Sequence, residues 1–139
     1  MKTVEQDWLN EFNKVKQWKL GMTVPELRKT FSETRCIVGI NNNYQLGNKY
    51  MLFGESANIF FMFSNEETLY RVTIQWDSFN SGAYALSKFQ QIKTILDEKF
   101  GQSNASPSSA HWFVKGESIE LGITEDEYCL VMQFGNKDT

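Results

Sequence analysis

Residues 50–76 read YMLFGESANIFFMFSNEETLYRVTIQW, and the spacing of their apolar residues decides the fold class. Tyr70, Val72, Ile74 and Trp76 alternate with Arg71, Thr73 and Gln75. A strand sends successive side chains to opposite faces, so this alternation describes a strand with one face on a core and the other toward water. The preceding run, Ile59-Phe60-Phe61-Met62-Phe63, is apolar at every position, which is more than a one-sided sheet needs. The polar turns Gly54-Glu55-Ser56 and Ser64-Asn65-Glu66-Glu67 separate Tyr50–Phe53, Ala57–Phe63 and Leu69–Trp76. With Cys36–Ile40 ahead of them, these short aromatic and branched runs predict an antiparallel meander.

On either side the period changes to that of a helix. Trp8, Leu9, Phe12 and Val15 recur at helical spacing and predict a short amphipathic opening helix. Thr23 as N-cap, Glu26 three residues on, and Met22 with Leu27 form a capping box and a hydrophobic staple. Pro25 falls in the first turn, where its missing N–H does no harm, so a second helix runs from Val24 to about Phe31. Leu86, Phe89, Ile92, Leu96 and Phe100 make the longest stripe, ended by Gly101 at C′. Gln102–Ser109 reads as a small-polar loop, and His111–Lys115, Ser118–Ile123 and Tyr128–Phe134 as three closing strands. The expected fold is α+β, in the order ααββββαβββ. An antiparallel sheet of about seven strands, in one layer or two related halves, carries helices on one face.

A chain of 139 residues with 41% hydrophobic content is the size of one domain, here residues 1–139, with a core of its own. A net charge of -3 without any Lys/Arg block argues against a phosphate-backbone binder, so nucleic acid is not an expected partner. No stretch approaches the roughly 20 apolar residues of a membrane span. The first residues hold no apolar run of signal-peptide length, which leads to the expectation of a cytoplasmic protein. Cys36 and Cys129 sit in strand-like runs and are expected as reduced structural thiols.

Gly54-Glu55-Ser56 has a counterpart in Gly116-Glu117-Ser118. Aligning the two triplets pairs the acidic turn Asn65-Glu66-Glu67 with Glu125-Asp126-Glu127, and Trp76 with Phe134. Leu27-Arg28-Lys29-Thr30-Phe31 parallels Leu96-Asp97-Glu98-Lys99-Phe100 in the helix before each unit. Residues 20–76 and 83–134 therefore read as two pseudo-repeats, the kind of pattern that a tandem duplication leaves.

The segment Leu20-Gly21-Met22-Thr23-Val24-Pro25-Glu26-Leu27-Arg28-Lys29-Thr30-Phe31 resembles the Gly-Met-Thr helix opening of the small SmpA/OmlA-type lipoproteins and of the β-lactamase inhibitor protein fold. The resemblance covers about a dozen residues. It implies short helices on an antiparallel sheet, with tandem copies forming a concave surface that grips another protein. The second unit lacks the Gly-Met-Thr opening, and the first residues do not read as a lipoprotein leader, so the outer-membrane role is not expected to carry over.

Catalytic readings fare worse than binding ones. His111 stands beside Trp112 on an expected strand, and it is the single histidine of the chain, which removes any His/His metal pair. Glu66-Glu67 and Glu125-Asp126-Glu127 fall in expected hairpin turns open to water, where nothing raises or splits their pKa values for acid/base work. The calcium-loop spacing is absent, and no Gly-Lys-Ser/Thr opens a helix to cradle phosphate. No catalytic residue, metal or cofactor is expected. If Ile59, Phe61 and Phe63 face the helices, Phe60 and Met62 join Arg71, Thr73 and Gln75 on the opposite face. Apolar residues rimmed by polar ones are typical of interfaces. Phe60, Met62, Arg71, Thr73, Gln75 and Glu120 are the expected contact residues of a protein-binding module, of the inhibitor or immunity-protein kind. Two other readings remain open: self-association through the same face, and an apolar-ligand pocket or uncharacterised enzyme site lined by Trp18, Trp76, Trp112 and Tyr128 between sheet and helices.

Overall fold

The computed structural model describes residues 4–15, 20–30, 38–40, 43–46, 50–76, 82–114, 116–123 and 129–136. Among these residues three helices, α1 (Val4–Val15), α2 (Val24–Thr30) and α3 (Gly82–Phe100), accompany nine strands. These are β1 (Val38–Ile40), β2 (Asn43–Gln45), β3 (Tyr50–Leu52), β4 (Glu55–Phe63) and β5 (Leu69–Trp76), then β6 (Asn104–Ser106), β7 (Ser109–Val114), β8 (Glu117–Ile123) and β9 (Leu130–Asn136). Eight of them lie side by side in the order β1-β2-β4-β5-β9-β8-β7-β6, and β3 pairs with the first residues of β4. All these pairings are antiparallel.

The α+β class is the expected one, and the strand count is higher than the expected seven. β2 and β6 fall in stretches that read as turn and loop. β6 is exposed at every position, so neither face is apolar and no period of two is written into it. Cys36, Trp18, Glu125 to Glu127 and Tyr128 lie outside the described residues.

The core forms on one face of the sheet. Ile59, Phe61, Val72, Ile74, Trp76, Met132, Phe134, Ile119, Leu121, Ala110 and Trp112 are all buried there. A register shift between Met62 and Phe63 pairs Phe63 with Leu69, so Leu69 is buried while Tyr70, expected on the core face, is half-buried. On that core lies α3, burying Ala85, Lys88, Phe89, Ile92, Ile95 and Leu96. Leu86, expected in the stripe, is 39% exposed; the buried stripe runs instead through Ala85 and Lys88. Gly101 follows the helix at φ 92 and donates its N–H to the Asp97 carbonyl, the left-handed cap expected of it.

The start of α2 is built as its sequence specifies. Thr23 donates its N–H to Glu26 Oε1 at 3.1 Å and its hydroxyl to the same oxygen at 2.9 Å. Gly21 N–H donates to the Leu69 carbonyl and Leu69 N–H to the Met22 carbonyl, which moors this cap to the start of β5. Leu27, at the staple position, is fully buried.

The two Gly-Glu-Ser triplets occupy the same kind of turn. Leu52 pairs with Glu55 and Val114 with Glu117, so Gly54 and Gly116 each fill the second place of a two-residue hairpin loop, at φ 79 and 81. The meanders β3-β4-β5 and β7-β8-β9 meet along β5 and β9, but β2 takes the place beside β4 that β7 holds beside β8, and β3 pairs with the start of β4 off the main strand order. Only the first turn is covered from above, by Trp8 and Lys88.

Candidate functional site

The face of the sheet opposite the core can be read row by row from the registers. One row runs Gln45, Phe60, Thr73, Gln133, Glu120, His111 and Asn104. The next carries Asn43, Met62, Arg71, Gly135, Ser118 and Phe113. A third holds Asn58, Gln75, Val131, Gly122 and Ser109. The six residues singled out from the sequence, Phe60, Met62, Arg71, Thr73, Gln75 and Glu120, therefore share one face across β4, β5 and β8. The first five are half-buried among their strand neighbours and Glu120 is exposed. The buried residues of α1, α2 and α3 join the core cluster on the other side, so among the described residues no helix covers these rows.

The same registers bring in residues that the sequence reading left out. Phe113 stands 56% exposed on this face with its ring 4.3 Å from that of His111. Met51, paired with Ser56 on the same side, is 60% exposed. Alternation counted outward from buried Trp112 would have placed Phe113; Met51 lies on a three-residue strand too short to carry a period.

Between β7, β8 and β9 the face sinks into a recess of about 320 Å³, lined by Ser109, His111, Glu120, Gly122, Val131 and Gln133 among others. His111 Nε2 is 2.8 Å from Ser118 Oγ and 3.4 Å from Glu120 Oε1. A hydrolytic relay needs the hydroxyl on one ring nitrogen and the acid on the other. Here both meet the same nitrogen, so Ser118, His111 and Glu120 do not assemble a nucleophile.

The other polar cluster of the molecule is structural. Lys88, buried on α3, donates to the Phe53 carbonyl at 3.2 Å, stands 3.8 Å from Glu55 and lies 4.4 Å over the Trp8 ring. Tyr84 donates its hydroxyl to Glu55 as well, and that bond holds the phenol above its usual range. Burial lowers the Lys88 ammonium, with the charges of Glu55 and Glu11 working against it. The contacts with Phe53 and Glu55 tie α3 to the β3–β4 turn, and the one with Trp8 ties it to α1.

Trp76 and Trp112, expected to line a ligand pocket, are packed in the core with their indoles hydrogen-bonded. Trp76 donates to the Leu52 carbonyl at 3.1 Å and Trp112 to Asp97 Oδ1 at 3.0 Å. Glu66 and Glu67 are exposed in their turn. Among the described residues no three His, Cys, Asp or Glu side chains gather as a metal site would require. Nor is any described helix long and apolar enough to cross a membrane.

No protein-family model matches the chain, and no curated protein matches it. Among solved structures, a DUF4309 family protein (YjgB) from Bacillus subtilis subsp. subtilis str. 168 is similar over 83% of this chain and 78% of its own. The identity is 14% and the TM-score 0.46, a likeness too loose to carry an argument.

Proposed function

We propose that this protein is a non-catalytic binding module of the inhibitor or immunity-protein kind, working in the cytoplasm, which docks another protein on the open face of its sheet. The observation that carries this reading is the make-up of the three rows opposite the core. Phe60, Met62, Phe113 and Val131 are interleaved with Arg71, Thr73, Gln75, Gln133 and Glu120 on one continuous surface. Aromatic residues, Met and Arg are what protein interfaces favour, and here they stand among polar groups that can pair with a partner. The likeness of residues 20–31 to the β-lactamase inhibitor protein and SmpA/OmlA opening implies the same use of a sheet. We further take β3-β4-β5 and β7-β8-β9 to be a tandem doubling that widened this surface.

The test is substitution on the face with stability as the control. Phe60→Ala and Arg71→Ala should each weaken capture of the protein that co-purifies from the native cell, while thermal stability stays near that of the wild type. Loss of stability in step with loss of capture would make these residues part of the core instead. A thermal-shift screen with fatty acids and metabolites separates the ligand-pocket reading, because a tight small ligand raises the melting temperature by linkage.

A further inference from the structure

Two glycines sit on the open face, and only one has a reason in the fold. At Gly135 a Cβ would lie 2.7 Å from the Tyr70 carbonyl oxygen, so glycine is required by the close approach of β5. At Gly122 a Cβ would meet only the Ser108 carbonyl at 3.6 Å and the Ser109 Cβ at 3.8 Å, ordinary contacts, and the backbone there is not left-handed. A glycine inside a strand weakens it, and often marks a place where a ligand or another chain comes close. Gly122 lines the recess beside Val131, and a longer side chain there would stand on the same face.

The lining shows what suits it. Glu120 brings a carboxylate whose side chain is 56% exposed, and among the described residues no Lys or Arg lines the recess. A carboxylate offers about four acceptor positions, and the contact with His111 leaves most of that capacity unused. Gln133 and Ser109 add polar atoms, and Val131 supplies an apolar wall. At about 320 Å³ the space is at the small end of ligand sites, roughly 300–1,000 Å³, and it opens onto the same face as Phe60, Met62 and Phe113. That is room for one side chain of a docked protein.

Building on the docking reading above, we infer that the recess over Gly122 receives a basic side chain, Arg or Lys, of the partner protein, with its charged end on Glu120 and its aliphatic stem against Val131. The probes are N-acetyl-argininamide and N-acetyl-lysinamide, titrated into the ¹⁵N-labelled chain at about pH 8, above the usual histidine range. N-acetyl-norleucinamide serves as the neutral isostere. The basic probes should shift the amides of Glu120, Gly122 and Val131 saturably, and the norleucine probe should not. Glu120→Gln should weaken that binding at least about threefold by removing a charge-assisted hydrogen bond. Gly122→Leu should abolish it with the melting temperature unchanged. An equal response to the norleucine probe, shifts centred elsewhere, or binding undiminished in Gly122→Leu overturns the inference. Partner capture that still depends on Phe60 and Arg71 would then leave the docking reading standing. Capture that ignores those two residues removes that reading without touching the probe result.

Discussion

Phe53 holds a left-handed backbone, φ 55, in a conformation that bulky residues avoid at a cost of about 1–3 kcal/mol. Three elements hold it there. Its N–H donates to Glu11 Oε2 of α1 at 2.5 Å, its carbonyl accepts from Lys88 of α3, and its ring meets those of Trp8, Phe12 and Trp76. Replacing Lys88 with Met keeps the volume and leaves the carbonyl without its donor. We expect Lys88→Met to lower stability by about 1–3 kcal/mol, an orphaned buried acceptor's usual cost, read by urea unfolding; a variant as stable as the wild type would show the contact to be incidental. Asp97 is a second such residue. Its carboxylate accepts from Lys93 at 2.8 Å, from Ser103 N–H at 2.9 Å and from Trp112, joining the end of α3 to β7. Burial alone would raise this carboxyl, but the hydrogen bonds from Lys93, Ser103 and Trp112 outweigh it and hold it below the usual carboxylate range. A carboxyl lowered in the folded state binds fewer protons there than when unfolded. Its contribution is therefore complete above the unfolded value and disappears as pH falls through the lower, folded one. The stability difference between wild type and Asp97→Asn should be constant near neutral pH and shrink below about pH 4. A gap that stays constant to pH 2 would mean that the ionised form is not what matters.

Elements differ in how plainly the sequence announced them. The capping box at Thr23 and Glu26 was legible because its contacts are local, three residues apart. β5 was legible because one face is core and the other is not. β2 and β6 were hidden, being three residues long, with Tyr44 as the one core-facing residue of β2 and none in β6 to impose a pattern. The shift at Met62/Phe63 was equally hidden, since a bulge depends on the turn that follows and moves every side chain beyond it to the other face. Lys88 was not legible, because helical period alone cannot say that a buried carbonyl waits beneath it. The strands also offer an internal comparison. Gly135→Ala must push against the Tyr70 carbonyl and should cost about 1–3 kcal/mol, whereas Gly122→Ala should be neutral or stabilising by up to about 1 kcal/mol. Equal costs, measured as midpoint shifts in denaturant, would contradict the distinction drawn between the two glycines.

For the molecule as a whole, the helices and the open face divide the labour. α1, α2 and α3 seal one side of the sheet through a continuous apolar cluster, leaving Phe60, Met62, Phe113 and Arg71 on the other. The six expected contact residues were readable as a group because strand alternation sorts them together. Val131 and the recess over Gly122 were not, since they depend on which strands become neighbours, and β5 and β9 are separated in sequence by α3 and three strands. The most direct test of docking on this face is site-specific photocrosslinking in the native cell, with a benzophenone amino acid at position 62 or 113 and, as the control, at position 84 on α3. The account predicts one protein adduct from positions 62 and 113 and none from position 84; adducts from position 84 alone, or none from the sheet face, would contradict it.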